Sequence, residues 1–199
     1  MEIDPETHER SMYRTLTSTV IPRPIGWVST TTPDGTDNIA PYSFFNVASP
    51  DPPIVMFSSG DRPDRPEDLT DSARNATETE EFVVNVVTGR FASAMNDTSA
   101  TLEPGESEFD HAELDRAEST VVAPPRVAGV DAAIECELHD VKRVGSNTLI
   151  FGRVVYVHLN DKIVTEEGKV DVHEVDAIGR LTGSYYATTD ERFRMERPP

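Results

Sequence analysis

Hydroxyl and aromatic side chains alternate along residues 22–59 at the spacing expected of β-strands. Such a ribbon can donate hydrogen bonds to a planar, oxygen-rich ligand while its rings enclose that ligand. The enclosing candidates are Trp27, Tyr42, Phe44 and Phe45, and the hydrogen-bonding candidates are Ser29, Thr30, Ser43 and Asn46. Backbone groups can do the same work, so the pattern fits an ordinary hairpin with aromatic core packing equally well.

A second group of residues follows and is suited to a phosphate. Ser58, Ser59 and Gly60 end an apolar segment, where small residues let backbone amides approach an anion. A helix is predicted to begin near Pro66 or Asp71, and a helix N-terminus favours negative charge. The cations of this region are Arg62, Arg65 and Arg74. An N-capped helix that follows a loop of salt bridges accounts for the same residues, so both interpretations stay open.

The charge of the chain is strongly negative. Its 199 residues include 36 acidic and 18 basic side chains, a formal net charge of −18 at pH 7. Such repulsion destabilises a compact state at low salt, but it is largely screened at 1 M salt, where the Debye length is about 3 Å. We therefore predict a salt-adapted, halophilic protein, with an acidic mesophilic protein as the alternative. Duplex nucleic acid is a poor partner, because phosphate binding needs a basic footprint.

Size and composition predict one domain, residues 1–199, with a buried core. No run reaches the roughly 18–20 apolar residues that span a bilayer, and the acidic, polar N-terminus is unlike a secretory signal. The single cysteine, Cys136, excludes an intramolecular disulfide and a multi-cysteine metal site. We therefore expect a cytoplasmic protein that has no metal site and does not bind a membrane.

Runs of β-branched and aromatic residues predict about seven strands and few helices, which favours a closed antiparallel barrel. The predicted strands are residues 17–21, 25–32, 38–46, 54–58, 82–87, 134–144 and 149–159. The predicted helices are a weak one around residues 5–16, one from near Asp71 through Ala76, and one at residues 91–96. A loop with a turn at Pro104-Gly105 lies between the last helix and the later strands.

Seven motifs occur along the chain in an order and spacing that are typical of one known family. They are RPIGWVST at 23–30, APYSFFN at 40–46, DPP at 51–53, DSARN at 71–75, EFVVN at 81–85, ECEL at 135–138 and RLTGSYY at 180–186. On these motifs the chain resembles the flavin reductase-like, FMN-binding split-barrel family, over roughly residues 15–186. The resemblance implies a mainly β fold, a six-stranded antiparallel Greek-key split barrel with a few short helices. It also implies non-covalent FMN and a homodimer with its flavin sites near the interface.

The resemblance implies roles for individual residues as well. With the candidates above, the predicted cofactor-binding set is Trp27, Ser29, Thr30, Ser43, Phe44, Phe45, Asn46, Ser58, Ser59, Arg62, Asp71, Ser72 and Asn75. The last three match a K-D-T-x-x-N pattern of the family, in which the lysine neighbours the phosphate. Thr70 stands at the lysine position here. Either phosphate affinity is weakened, or an arginine such as Arg62 or Arg74 takes the role of the lysine.

The leading hypothesis is a flavoprotein oxidoreductase, an NAD(P)H:flavin reductase whose electrons pass to an oxygenase or another acceptor. The chain has no G-x-G-x-x-G motif, so NADH or NADPH would bind over the flavin face and not in a domain of its own. His111 is a candidate for binding nicotinamide or substrate, with a solvated loop histidine as the alternative. Two further hypotheses are an FMN-binding or storage module without turnover, and a dimeric interaction protein that has lost the cofactor.

Overall fold

The structure, a computed structural model, describes residues 2–103 and 105–198, so the turn predicted at Pro104-Gly105 lies partly outside the described residues. The helices are α1 (Tyr13–Thr19), α2 (Asp71–Glu78), α3 (Ala92–Asp97) and α4 (Glu108–His111). The first six strands are β1 (Arg23–Pro24), β2 (Gly26–Thr31), β3 (Asp37–Tyr42), β4 (Phe45–Pro50), β5 (Pro53–Gly60) and β6 (Glu81–Val86). The remaining strands are β7 (Arg116–Ala117), β8 (Arg126–Val127), β9 (Ala132–Val144), β10 (Asn147–Leu159), β11 (Ile178–Arg180) and β12 (Tyr186–Thr188).

The main sheet confirms the predicted mainly β, antiparallel architecture. In the described part of the chain it has seven strands in the order β3-β2-β6-β9-β10-β5-β4, one more than expected. The extra strand arises because the segment predicted as one strand, residues 38–46, bends at Ser43 and Phe44. Its two halves, β3 and β4, therefore occupy opposite edges of the sheet. A smaller sheet, β1-β11-β12, lies beside them.

The main sheet curves, so that strands far apart in its order contribute side chains to one core. Val28 of β2 and Phe57 of β5 are separated by three strands, yet they pack in one buried cluster with Phe82. The rings of Phe57 and Phe82 meet edge to face with their centroids 5.4 Å apart. Ala73 and Ala76 of α2 are fully buried in the same cluster, so α2 packs directly on this core.

A second core lies on the other face of β2. Trp27 packs there with Ile39 of β3, Met95 of α3 and Phe109 of α4. Because successive side chains of a strand point to opposite faces, Trp27 and Val28 belong to different cores. The helices α3 and α4 are thereby held against β2 and β3, next to the N-terminus of α2.

The strand predicted at residues 17–21 is wrong, because this segment is mostly the end of α1. The carbonyls of Thr17 and Val20 accept hydrogen bonds of 2.6 and 2.9 Å from the guanidinium of Arg23. These bonds satisfy carbonyl groups that a helix C-terminus otherwise leaves unpaired. The strand preference of β-branched residues is weak enough for such tertiary contacts to override it.

Close packing makes one glycine of β10 sensitive to substitution. A Cβ at Gly152 would overlap the ring of Phe82 and lie 2.8 Å from the Cβ of buried Cys136. We expect Gly152→Ala to lower the free energy of unfolding by about 1–3 kcal/mol, the usual cost of overpacking a core. Urea unfolding measures this loss. Gly60→Ala is the matched control, because nothing lies within 4 Å of its added Cβ, and equal losses in both variants would contradict the packing argument.

Candidate functional site

A cavity of about 160 Å³, here named the helix-end cavity, lies between β3, the N-terminus of α2 and residues 98–102. Asn38, Ala40 and Tyr42 of β3 line it, and their spacing of two residues places them on one face of the strand. The loop that precedes α2 adds Arg62 and Arg65 to the opposite wall. Strand, loop and helix terminus therefore present hydroxyl, amide and guanidinium donors to one enclosed space.

The N-terminus of α2 is organised around Thr70. Its Oγ1 accepts a hydrogen bond of 3.3 Å from the amide of Ala73, and it lies 2.8 Å from the Ser59 Oγ and 3.0 Å from the Tyr42 hydroxyl. Desolvation raises the pKa of Tyr42, so the phenol stays protonated. The first amides of a helix have no intrahelical acceptor, so those of residues 71 and 72 are suited to donate to an anion at this end.

Asn38 fixes the polar wall of the cavity. Its Oδ1 accepts hydrogen bonds from the Ser72 Oγ at 2.9 Å and the Thr30 Oγ1 at 3.3 Å, and its Nδ2 donates to the Glu108 Oε2 at 2.7 Å. Asn75 Nδ2 donates to the same Thr30 hydroxyl at 3.2 Å. The hydroxyl proton of Ser72 is thereby committed to Asn38, so its amide, and not its hydroxyl, is available to a ligand.

Glu108 is the buried carboxylate of this wall, and one of its oxygens accepts from both Asn38 Nδ2 and the Ile39 amide. Burial raises its pKa above the usual glutamate range. The native state therefore binds more protons than the unfolded chain between the two pKa values, so the free energy of unfolding falls as pH rises through that window. We expect Glu108→Gln to remove this fall, because glutamine does not titrate. Since one amide oxygen can accept both hydrogen bonds, the variant is expected to be at least as stable as the parent at neutral pH.

Urea unfolding of parent and variant across about pH 4 to 8, in molar salt, measures this difference. Glu108→Leu is the companion variant, because it leaves the Asn38 and Ile39 donors without an acceptor. It is expected to lose about 1–3 kcal/mol at the acid end of this range, the cost of unsatisfied buried polar groups, and the loss should shrink as the Glu108 carboxyl of the parent ionises. Parallel pH profiles for the parent and Glu108→Gln would show that the titration of Glu108 does not shape stability.

Arg65 has hydrogen-bonding capacity that the protein does not use. Its Nη2 donates to the Leu102 carbonyl at 2.7 Å, and its side chain is 11% exposed. Its Nε is buried and has no hydrogen-bond partner among the described residues. The Asp71 carboxylate lies 3.9 Å away, too far for a strong pair. An arginine donor that is buried, unpaired and in a cavity wall is suited to an anion.

The two arginines that we named as replacements for the family lysine are both engaged. Arg62 lines the helix-end cavity but binds the Asp64 carboxylate through two hydrogen bonds of 2.9 and 2.8 Å. Arg74 binds Asp71 at 2.6 Å and lines a neighbouring depression instead. Arg65 is the residue that sequence reasoning left out of the predicted set. No sequence signal separates it from Arg62, because the turn of the loop decides which of the two guanidinium groups pairs closely with Asp64.

Of the predicted cofactor-binding residues, Arg62, Asp71 and Ser72 line the helix-end cavity. Ser59 and Thr30 lie one layer behind, hydrogen-bonded to its wall through Thr70 and Asn38, and Asn75 lies behind them, hydrogen-bonded to Thr30. Ser43 lines a second cavity, of about 690 Å³, here named the N-terminal cavity. The two cavities share Pro41 and Ser99 and therefore adjoin beside β3, and together they are here named the groove.

Three other predicted residues are turned away from this groove. Trp27 is fully buried, and its Nε1 donates to the Thr98 Oγ1 at 2.9 Å, which holds residues 98–102 in place. Ser29 is also fully buried and donates to the Pro125 carbonyl at 2.5 Å. Ser58 accepts a hydrogen bond from Asn147 on β10. Trp27 and Ser29 therefore support neighbouring segments of the chain.

The remaining candidates lie outside both cavities. Phe45 packs against Gly26, Phe44 is 38% exposed near Arg23, and Asn46 is exposed on β4. His111 is exposed and lines a separate open depression. The structure does not bring it to the groove.

Two further kinds of site are absent from the described residues. No cluster of three or more His, Cys, Asp or Glu side chains in residues 2–103 and 105–198 could hold a metal ion. Within the same ranges, no helix has the length and apolar character needed to cross a membrane.

Comparisons with known proteins agree with the fold. An uncharacterized protein of Aquifex aeolicus is 38% identical over 181 residues, which is 91% of each chain. Nitrilotriacetate monooxygenase component B from Bacillus cereus is 34% identical and superposes with a TM-score of 0.91 over 98% of each chain. The 2-nitrobenzoate 2-nitroreductase NbaA of Pseudomonas fluorescens is 30% identical, with a TM-score of 0.88 over 100% of this chain and 96% of its own. The family model of the flavin reductase like domain matches residues 17–174, and the chain belongs to that family.

Proposed function

We propose that the chain is an oxidoreductase that binds FMN non-covalently in the groove beside β3 and receives hydride from NADH or NADPH. The observation that carries this proposal is Arg65, which lines the helix-end cavity and whose buried Nε has no hydrogen-bond partner among the described residues. A phosphomonoester needs several donors and positive charge, and this corner of the groove supplies both. Membership of the flavin reductase-like family supports the same cofactor.

The helix-end cavity fits the phosphate of FMN. Arg65 would donate through Nε, and the amides of Asp71 and Ser72 would donate from the helix terminus. Arg62 adds positive charge from the same wall, although Asp64 neutralises much of it. Thr70 keeps the helix terminus in place through its bonds to neighbouring hydroxyls, and Arg65 would take the place of the family lysine beside the phosphate.

The edge of the main sheet suits the flavin ring. Among the described residues β3 pairs within the sheet only with β2, and although the Ile39 amide and the Asp37 carbonyl bond to Glu108 and Ser107, backbone groups of residues 41–43 lie beside the groove. These groups can match the hydrogen-bonding rim of a flat ring, and Pro41 and Ser43 line the space beyond them. We therefore propose that the ring lies along residues 41–43 and extends toward the N-terminal cavity. Trp27 and Ser29 are not part of this proposed contact set.

Bound FMN would supply the redox chemistry, because its ring can accept a hydride from nicotinamide. The chain's own contribution is to hold the phosphate, orient the ring and keep one ring face open to the N-terminal cavity. The hydride step requires no acid or base from the protein, which agrees with the placement of His111 away from the groove.

We propose further that residues 1–199 form one domain that works as a homodimer in a salt-rich cytoplasm. The net charge of −18 supports salt adaptation. Apolar side chains exposed on β9 and β10 support association of two copies, and they are Val141, Val144, Tyr156, Val157 and Leu159. A relative is a component of nitrilotriacetate monooxygenase, which supports an oxygenase as one class of electron acceptor for this chain.

Absorption and fluorescence of the purified protein in molar salt test the proposal. We expect a yellow protein, or quenching of FMN fluorescence when FMN is added, and anaerobic bleaching of the bound flavin by NADH or NADPH. Failure to bind FMN would contradict the cofactor assignment and leave the dimeric interaction protein. Binding without bleaching by either nucleotide would favour an FMN-binding or storage module.

A further inference from the structure

The N-terminal cavity is positively charged, although the chain as a whole is strongly acidic. Its volume is about 690 Å³, and three arginines line it: Arg14, Arg23 and Arg180. None of the described residues that line it is Asp or Glu, although the chain carries 36 acidic residues. The cavity volume falls within the range of about 300–1,000 Å³ that is usual for small-molecule sites.

Two of these arginines are direct cross-strand neighbours. Arg23 of β1 and Arg180 of β11 are register partners in an antiparallel pair. Like charges in this position destabilise a sheet. Within residues 2–103 and 105–198, no carboxylate lies within 4.0 Å of either guanidinium or of Arg14. Arginines elsewhere, such as Arg90 and Arg116, do pair with carboxylates.

The protein holds these arginines with neutral groups, so their charge remains uncompensated. Arg23 is 8% exposed, and its guanidinium donates to three main-chain carbonyls and, at 3.5 Å, to the Ser43 hydroxyl. Arg180 stacks on Tyr186 with its Cζ 4.6 Å from the ring centroid, and it donates to the Tyr186 hydroxyl and the Gly183 carbonyl. A bound anion would compensate this charge.

We propose that the N-terminal cavity binds a planar aromatic carboxylate. Tyr13, Tyr185 and Tyr186 line the cavity and supply ring surfaces for an aromatic ligand. Arginine matches the two oxygens of a carboxylate through paired donors, and Arg14 and Arg180 reach the cavity from different elements, α1 and β11. Because the cavity continues into the proposed flavin groove, this inference rests on the proposed function when it makes the carboxylate a substrate. Binding of the carboxylate itself can be measured without the flavin.

Calorimetric titration of the purified chain with benzoate, at one fixed ionic strength, tests the proposal. Benzoate is expected to bind and benzamide, its neutral counterpart of the same shape, is not. Arg14→Gln and Arg180→Gln are each expected to weaken benzoate binding about tenfold, the effect of one charged hydrogen bond. Arg194→Gln is the matched control, because it removes the same charge from an exposed tail residue that lines neither cavity.

Equal binding of benzoate and benzamide, or equal effects of all three substitutions, would overturn the proposal. So would arginine-dependent binding of ADP-ribose without binding of benzoate, which would assign the cavity to the pyrophosphate of the nicotinamide nucleotide. FMN binding by the unsubstituted chain, measured by fluorescence quenching, distinguishes failure of this inference from failure of the proposed function. No benzoate binding by that chain with FMN binding intact contradicts this inference alone, and benzoate binding without FMN binding contradicts the proposed function alone.

Discussion

Replacing Arg65 by glutamine is expected to weaken FMN binding about 10- to 100-fold and to leave riboflavin binding almost unchanged. The buried, unpaired Nε of Arg65 is the strongest candidate for a direct phosphate donor. A hydrogen bond to a charged group contributes about 1.5–3 kcal/mol, which sets this range of affinity. Riboflavin lacks the phosphate, so the ratio of the two affinities isolates that contact. Fluorescence quenching titrations with both flavins, in molar salt, measure the ratio.

Two further variants make this result specific. Arg153→Gln is the control, because Arg153 pairs with Glu137 on the sheet and lines neither cavity of the groove. Arg62→Gln is expected to have the smaller effect of the two cavity arginines, since Asp64 already neutralises its guanidinium. Equal losses of FMN and riboflavin affinity in Arg65→Gln would show a structural role through Leu102. No loss of either would place the phosphate elsewhere.

The strands that follow from local pattern were predictable from sequence. Residues 25–32, 82–87, 134–144 and 149–159 were predicted as strands, and β2, β6, β9 and β10 overlap them closely. Each is a run rich in β-branched or aromatic residues, so its local preference for a β-strand agrees with its place in the folded sheet. The helix predicted from Asp71 agrees with α2 for the same reason, since Thr70 is a favourable N-cap.

Elements that depend on distant contacts were not predictable in this way. The end of α1 depends on Arg23, which follows it and reaches back to its last carbonyls. The bend between β3 and β4 depends on the curvature of the whole sheet, which sends the chain from one edge to the other. Neither the residues of α1 nor the strand-like run at residues 38–46 carries a local pattern that indicates these distant contacts.

The site was predictable as a region but not as a set of contacts. Alternation along β2 shows that Trp27 and Val28 face opposite sides, but it does not show which side faces a ligand. The structure shows that Trp27 is buried under α3 and α4. Likewise, the loop before α2 was predicted to supply a cation, and its turn places Arg65, whose buried Nε has no partner among the described residues, in the cavity wall. Side-chain type and spacing identified the region of the site, but the placement of each residue in the folded chain decides which of them line the cavity.

Glu135 of β9 fastens the segment around residues 120–122 to the sheet. It is fully buried and accepts hydrogen bonds from the amides of Thr120 at 2.7 Å, Val121 at 2.7 Å and Val122 at 3.1 Å. The Nε2 of His158, on β10, lies 2.5 Å from Oε1 of the same carboxylate. Burial alone would raise the pKa of Glu135, but the hydrogen bonds from these amides and from His158 outweigh it and lower the pKa.

Replacing Glu135 by alanine is expected to cost about 3–5 kcal/mol of unfolding free energy, because it leaves one buried and two partly buried backbone donors, and His158, without their acceptor. Glu137→Ala is the matched control: Glu137 lies two residues along β9 in an exposed pair with Arg153, and such pairs contribute about 0–1 kcal/mol. Since the native pKa of Glu135 is lowered, its stabilisation is present above the ordinary glutamate pKa and is lost as pH falls through the native value. Urea unfolding in molar salt should therefore show the gap between parent and Glu135→Ala narrowing in acid, and a gap no larger than that of Glu137→Ala at neutral pH would rule out this anchoring role.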